Sequence, residues 1–415
     1  MHILVVSQFF HPEMGAPAAR FGDFGRYWLE AGHRITVLST WPNAPRGLVY
    51  EGHQQRPWAV EDIGGIRVIR TPVLALGGYS PGRKALLYAT FAASALMQGA
   101  LRNLRPDIVI GTTPPPTVGY VSLLLARRFG VPHVLDVRDI WPEAVLNAGR
   151  VQASVAVATL ERLNGVVLRR SAAITTVSEG KRTRLLELGA KQGHVHVIPN
   201  GVDLDRFDRE ATESQAETEA VLRKAGVPAG ATLVTYAGVF NPPQGLDLVL
   251  DVAQLRLRRP ADPVHFLLIG DGELRTHLGR RVAAEGLTNV HISGPVPRAL
   301  VAPIYRRSWA SVVILRPRKD AHTVPSKLYE CMATRRPVLL SADGEAADLA
   351  AAARCGPISR AGDIAGLQRG IDALLADPVA ARSHGLAGRA YVEANNDRAG
   401  LSQLFLEVLC DAVAR

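Results

Sequence analysis

The sequence predicts an α/β chain of two successive domains, each an open, mainly parallel sheet wound with helices. Three observations predict it. Short apolar runs of strand length alternate with helix-length stretches down to residue 200, and a second series of the same kind opens near residue 233. The 415 residues exceed one ordinary core and suit two. The hydrophobic share of 47% and the charged share of 21% are those of an ordinary globular protein.

Residues 3–7 read as a buried strand. The following loop, 8–14, ends at Gly15, and Pro17 suits the first turn of a helix to about residue 31. Gly32 fits the position just past that helix, and 35–39 form the next strand. A strand–helix–strand order implies parallel pairing. The loop lacks GxGxxG, so the dinucleotide fingerprint is absent. Gly15 instead allows close backbone approach at the carboxyl end of the first strand, where open α/β sheets bind ligands. Gly64-Gly65, between 60–63 and 66–70, predicts a hairpin.

The most apolar run is 85–101. Its polar residues, Thr90, Ser94 and Gln98, recur every four positions and form one thin stripe on a helix. Arg83 and Lys84 precede it; Arg102 and Arg105 follow. The run only reaches the lower limit for a membrane span, so a core helix is the first reading and a membrane-facing surface helix the second. Strand 107–111, a stiff loop at 112–116, a helix to about 129 and strand 133–136 come next. That strand runs into Arg138, Asp139 and Trp141, which reach the same sheet edge as Gly15. Their chemistry makes them candidates for acceptor binding and proton handling; the plainer reading is an N-cap Asp and a packed Trp. A helix from about 151, strand 173–177, helix 179–188 and strand 195–199 complete the series. Asp203 and Asp205 spell DxD, but turn and cap roles are read there, not a metal.

Residues 208–219 are polar and acidic, without apolar periodicity, and read as a linker or loop. Strand 233–237 ends at Gly238, and its loop precedes helix 246–256. Strand 264–269 ends in Gly270-Asp271-Gly272, whose glycines let backbone approach a ligand. Helix 274–285, strand 290–293, a helix near 300–306 and strand 311–315 follow, then Arg316, Arg318 and Lys319, which either ring an anion or face solvent. The tail is helical from 361 to 414 with breaks.

The stretch HTVPSKLYECMATRRPVLLS, 322–341, reads as loop, short helix and buried strand. Thr323 and Ser326 are candidate N-caps, and Arg335 and Arg336 suit the helix C-terminus. A helix start offers unpaired N–H groups and partial positive charge, which suit a phosphate. Lys327 in the first turn opposes the helix dipole, so something else should want it there. Glu330 lies on the same face as Ser326. Together they suit a nucleotide, with diphosphate on the N–H groups and ribose on the carboxylate; the alternative is a capped core helix.

The net charge of +10 and the pI of 9.8 suit a nucleotide or a membrane surface. No basic run interleaves with aromatics, so nucleic acid ranks last. Cys331, Cys355 and Cys410 are scattered, and neither CxxC nor HExxH occurs, so reduced thiols in the cytoplasm are expected. MHILVVS has no basic n-region and reads as a first strand, not a signal peptide.

NGVD at the junction, GDG after a second-domain strand and the Pro-Ser-Lys…Glu helix resemble a retaining nucleotide-sugar glycosyltransferase of family four. Gly32-His33, Ser178-Glu179 and Phe207 fall on further landmarks of that family. QFFHPEMGAP and RDIWPE are most similar to bacterial enzymes that add N-acetyl-fucosamine-type amino sugars in O-antigen, capsule or colanic-acid assembly. The resemblance implies the GT-B fold: two Rossmann-like domains with parallel sheets facing an interdomain cleft. It places an acceptor-side domain at 1–203, a nucleotide-sugar-binding domain at 204–395 and a C-terminal helix, 396–415, packing back toward the first. It implies a UDP-sugar donor, retention, and neither metal nor cofactor. The acceptor would be a saccharide or polyprenyl-diphosphate-linked sugar, and the location the cytoplasm, peripheral to the inner membrane face. The donor residues would be Gly15, Gly238, Gln244, Gly270, Gly272, Arg316, Ser326, Lys327 and Glu330. Asp139, His322 and Lys327 would be catalytic, and Arg138 and Trp141 would hold the acceptor.

Two departures stand out. The family's Glu-x7-Glu pair keeps Glu330 but has His322 in place of the first Glu, so His322 would approach the transferred sugar. The loop that usually carries Arg and Lys reads GVFNPPQG, with Gln244 near the expected Lys. Lys327, with Arg316 or Arg318, would replace those cations. The rival readings are a GT-B UDP-sugar epimerase and a non-catalytic nucleotide-binding scaffold subunit.

Overall fold

In a computed structural model the chain forms two compact units, Met1–Asn200 with Arg398–Arg415, and Gly201–Asp397. The structure describes residues 1–415 except 14, 45, 79, 144–154 and 318–321, and except the side chains of 16 and 155–159. The expected helix start at 151 and the candidates Arg318 and Lys319 lie outside the described residues.

In the first unit, strands β1 (His2–Val6), β2 (Arg34–Thr40), β3 (Ala59–Ile63), β4 (Ile66–Thr71), β5 (Ile108–Thr113), β6 (His133–Val137), β7 (Ala173–Thr176) and β8 (Val195–Val197) form one sheet. Their order is 3-4-2-1-5-6-7-8, parallel except for the β3–β4 hairpin across Gly64-Gly65. Helices α1 (Ala16–Glu30), α2 (Pro81–Leu101), α3 (Thr117–Phe129), α4 (Val155–Arg170) and α5 (Glu179–Glu187) intervene. Alternation along β1 builds two cores. Ile3 and Val5 join Phe21, Phe24 and Trp28, while Leu4 and Val6 join Phe91 and Val121. The helix Arg398–Ala414 completes the first of these cores. Trp28 Nε1 donates to Ser402 O at 3.1 Å, and the Phe405 ring lies 5.5 Å from that of Trp28.

The second unit begins with α6 (Leu204–Glu213) and α7 (Gln215–Lys224). Strands β9 (Thr232–Ala237), β10 (Val264–Ile269), β11 (Val290–Ser293), β12 (Ala310–Ile314), β13 (Val338–Ser341) and β14 (Ile358–Ser359) form an all-parallel sheet, order 11-10-9-12-13-14. Its helices are α8 (Asp247–Leu257), α9 (Arg275–Ala284), α10 (Val301–Arg307), α11 (Ser326–Ala333), α12 (Glu345–Ala353), α13 (Ile364–Ala376) and α14 (Pro378–Asn395). The strand order reverses at β1/β5 in the first sheet and at β9/β12 in the second, and crevices for ligands form at such points.

Residues 208–219 are not a linker but most of α6 and the start of α7. Leu204, Phe207 and Ala211 recur at helical spacing and are buried, as is Leu222. The charges that hid this pattern are paired from far along the chain. Asp208 accepts from Arg306 Nη2 at 2.9 Å and from Arg389 Nη2 at 2.8 Å. Asp203 caps α6, its Oδ1 accepting from Arg206 N at 3.1 Å. Asp208→Ala would take from the buried Arg389 guanidinium the carboxylate that both its Nη atoms reach, leaving it Glu393 and Ala333 O. A loss of about 2–3 kcal/mol is expected in urea unfolding, below the cost for a fully buried pair because Asp208 is one-third exposed. Arg389→Met should cost less than Asp208→Ala, because no buried charge then remains.

Candidate active site

In the second unit, Gly238 follows β9 and Gly270 follows β10, so both stand at the carboxyl edge of the sheet beside its switch point. Lys327, second residue of α11, has a partly open stem but an enclosed ammonium. Its Nζ donates to Gln244 Oε1 at 2.9 Å and sits 3.7 Å from the centre of the Tyr236 ring. Tyr236 in turn donates its hydroxyl to Val239 O at 2.9 Å. An added Cβ on Gly238 would lie 2.7 Å from Nζ, so glycine makes room for the amine. The structure thus brings Lys327, Gln244 and Gly238 together, and adds Tyr236 from strand β9.

Burial pushes the Lys327 ammonium down to about 7, with Cys331 and Glu330 opposing the shift. Between about pH 7 and 10.5 the unfolded chain therefore binds a proton that the folded chain has released, and stability should rise with pH across that window. Lys327→Met should remove up to about 1.4 kcal/mol per pH unit of that slope. Denaturant melts of both proteins at pH 7 and pH 9 check it: the variant should gain most at pH 7.

Other expectations need correction. Neither Thr323 nor Ser326 caps α11; Pro325 stands at the N-cap and Ser326 is the first helical residue. Proline presets the extended turn before a helix, which needs no side-chain cap here. Arg335 and Arg336 lie past the C-cap Thr334, and Arg335 adopts a left-handed φ of 59°. Gly270 and Gly272 are also needed for packing. A Cβ on Gly270 would meet Gly238 O at 1.8 Å, and one on Gly272 would meet Phe240 O at 2.7 Å. Their missing side chains let the two loops close, with Phe240 N donating to Asp271 O and Leu274 N to Phe240 O, each at 2.9 Å.

Glu330 is half-buried, and among the described residues nothing is hydrogen-bonded to its carboxylate, which suits a hydroxyl ligand. Arg316 is exposed beside the same loop, its N–H donating to Pro243 O at 3.0 Å. His322, four residues before Ser326, is half-buried.

In the first unit, Gly15 is the N-cap of α1 with extended backbone, and an added Cβ would meet only Pro17 Cδ at 3.6 Å. The fold itself does not demand glycine there. Arg138, expected at the rim, lies beneath it: it is buried, and burial lowers its affinity for the proton while Asp136 and Asp139 oppose that. Asp136 is the structural acid of this edge, accepting from Thr112 Oγ1 and Thr175 Oγ1 at 2.8 Å. Asp139 and Trp141 line one small cavity with Thr113. The Trp141 ring meets Tyr88 edge-on at 6.4 Å, and Tyr88 lines a second cavity of about 150 Å³. Asn43, Arg83 and Lys84 line that one too.

Glu13 was missed by sequence reasoning. It is buried and accepts from Phe10, Asn43 and Ala44 N–H groups at 3.1, 2.7 and 2.9 Å. Burial pushes its carboxyl up to about 7, against those three donors. It ties the loops after β1 and β2 into one cavity wall. A Glu in a loop gives no sign of such partners, since Asn43 is 30 residues away.

The comparisons decide the family. Residues 15–201 match the glycosyl transferase 4-like domain, and residues 231–377 match glycosyl transferases group 1. The chain is a GT-B glycosyltransferase of the family 4/1 type. A protein of Escherichia coli strain K12 named for colanic acid biosynthesis glycosyl transfer, WcaI, is 24% identical to this glycosyltransferase over 348 residues, 83% of this chain and 84% of that protein. The sucrose-phosphate synthase of Thermosynechococcus elongatus superposes with a TM-score of 0.77 at 19% identity, covering 100% of this chain and 99% of that one. The Anabaena protein HepE, solved with UDP and glucose, gives 0.72 at 16% identity, covering 99% and 100%.

Proposed function

We propose that this glycosyltransferase moves a sugar, of the N-acetylated amino-sugar type, from a UDP-linked donor to a saccharide or lipid-linked acceptor in cell-surface polysaccharide assembly. The observation that carries the donor half is the Lys327 ammonium, held by the Tyr236 ring and Gln244 at the switch point of the second sheet. Breaking the glycosidic bond puts charge on the diphosphate, and a preplaced cation in a low-dielectric pocket stabilises that charge most. Lys327 and the first N–H groups of α11 would take the diphosphate, with Arg316 beside them. Glu330 would hold the ribose hydroxyls, Gly238 would leave space for the nucleotide, and His322 would face the transferred sugar. The solved complex of HepE with UDP and glucose supports a uridine donor. In the first unit Asp139 would orient or deprotonate the acceptor hydroxyl, with Trp141 as its stacking wall. Retention of configuration follows the family resemblance and belongs to the same proposal.

The test is a thermal-shift series with UDP, GDP and UDP-N-acetylhexosamines, followed by mass analysis of donor with and without acceptor. A ligand that prefers the folded state raises its stability. UDP should shift the transition more than GDP, and the donor should be consumed only with acceptor. Donor altered on its own would indicate an epimerase; binding without turnover under any acceptor would indicate a scaffold.

A further inference from the structure

The enclosed amine of Lys327 is short of partners. An ammonium carries three N–H donors. Among the described residues its Nζ meets one acceptor, Gln244 Oε1 at 2.9 Å, and one ring face, that of Tyr236 at 3.7 Å. No carboxylate forms an ion pair with it among those residues, and Glu330 acts on it through space alone. A buried charge is ordinarily paired, so this site is built for a charge that arrives from outside.

The groups that hold the amine fix its position without neutralising it. Gln244 ends the short turn Pro242–Gln244, whose two prolines stiffen the backbone. Its Oε1 lies 3.2 Å from the Tyr236 hydroxyl as well, so amine, amide and phenol close on one another. Tyr236 is fully buried and cannot step aside. A ring face and an amide oxygen favour the charged amine, but enclosure disfavours it more, which brings it down to about 7. Burial pushes Tyr236 on β9, Tyr305 on α10 and Cys331 on α11 upward, so all three stay neutral around it. Arg316 beyond β12 adds a fixed guanidinium charge. Glu330 and His322 complete the ionisable groups on the neighbouring elements.

We propose that Gln244 and Tyr236 are positioning residues that hold the Lys327 amine apart from any anion, and that this amine takes up a proton from solvent as the diphosphate of the nucleotide donor reaches it. The proposal rests on the donor reading above and adds its regulation. The step is an amine plus a proton giving an ammonium, with the diphosphate as the counter-charge that the fold withholds. Inside an enclosed site the new ion pair is strong, so proton and diphosphate stay together. The coupling is reciprocal: a ligand whose binding takes up a proton binds more tightly as pH falls. Donor affinity therefore declines as pH rises from about 7, and the amine is a full cation only while a diphosphate is present.

Calorimetric titration of the full chain with UDP at pH 8, in Tris and in a buffer of low ionisation heat, counts the protons. The terminal phosphate of UDP has already lost its own proton there. Wild type should take up more than about half a proton per UDP, and its Kd should weaken about tenfold or more from pH 7 to pH 9. Gln244→Glu sets a carboxylate beside the amine, so the count should fall below about 0.2 and the pH dependence should flatten. Lys327→Arg, a cation that keeps its proton and stacks on aromatic rings, should bind UDP without uptake. Tyr236→Phe, which keeps the ring, and His322→Gln should both retain the uptake. UDP binding to wild type without proton uptake overturns this proposal and leaves the donor reading standing; absence of UDP binding at every pH overturns both. Uptake that survives Lys327→Arg and vanishes in His322→Gln assigns the proton to the imidazole and overturns the proposal. An unchanged proton count in Gln244→Glu overturns the role given to Gln244.

Discussion

Lys327→Ala is expected to lower kcat/KM about a hundred- to a thousandfold, and Gln244→Lys in the same chain is expected to restore most of it. The loss follows from removing a cation that the fold places at the second switch point with its ammonium enclosed, where a preorganised charge acts on a developing one. The restoration follows from geometry. Nζ of Lys327 and Oε1 of Gln244 are 2.9 Å apart, so their side chains end at one spot from opposite sides. A lysine entering from position 244 would bring an ammonium to that spot from the loop, while the truncated side chain at position 327 makes the space. The same substitution without Lys327→Ala should be harmful, because two ammoniums would then share one enclosed site. Initial rates at saturating acceptor, and UDP affinity by titration calorimetry, check both claims. A Lys327→Ala enzyme with undiminished turnover would remove this amine from the mechanism. A double variant that binds UDP but stays inactive would show that the ammonium must come from the helix. Lys327→Ala should also melt higher than wild type in the absence of nucleotide, since it relieves a cation whose burial holds it down to about 7.

Gly270→Ala should destabilise the second unit by about 3 kcal/mol or more and abolish UDP binding together with stability. The added methyl would lie 1.8 Å from Gly238 O, a backbone atom that cannot step aside, and φ at this position is +145°, where side chains are strained. Relief requires the loops after β9 and β10 to part, which moves Gly238 away from Lys327. Gly279→Ala is the control: it lies within α9, and nothing is within 4 Å of its added Cβ. There the change should be neutral or stabilising by about 0.5–1 kcal/mol, because alanine favours helix. Circular-dichroism melts with and without UDP separate the two. A Gly270→Ala protein that melts like wild type would mean that the zipped loops are looser than their hydrogen bonds imply.

Much of this could be read along the chain. The alternation of short apolar runs with helix-length stretches placed nearly every strand of both sheets, because parallel strands buried on both faces have few sequences open to them. The glycine pair 64–65, the Pro17 helix start and the loops ending β1, β9 and β10 were legible for the same local reason. The α11 start stood out because a lysine in a first turn opposes the helix dipole. What failed, failed where partners are distant. The acidic run 208–219 looked like linker because the arginines that neutralise Asp208 sit at 306 and 389. The short strand β14 and the alanine-rich α12 carry too little pattern to stand out.

Sequence alone thus determined the sheet-and-helix series and the helix that bears Lys327, since each of these depends on spacing within a few residues, and its short motifs carried the resemblance to the family. The tertiary structure decided the rest. It put Tyr236 and Gln244 around the amine, packed Gly270 and Gly272 against the loop after β9, buried Arg138 and made Glu13 a strut between two loops. Each of those facts depends on which atoms meet across long stretches of chain or across neighbouring loops, and a one-dimensional pattern carries periodicity but not the identity of such partners.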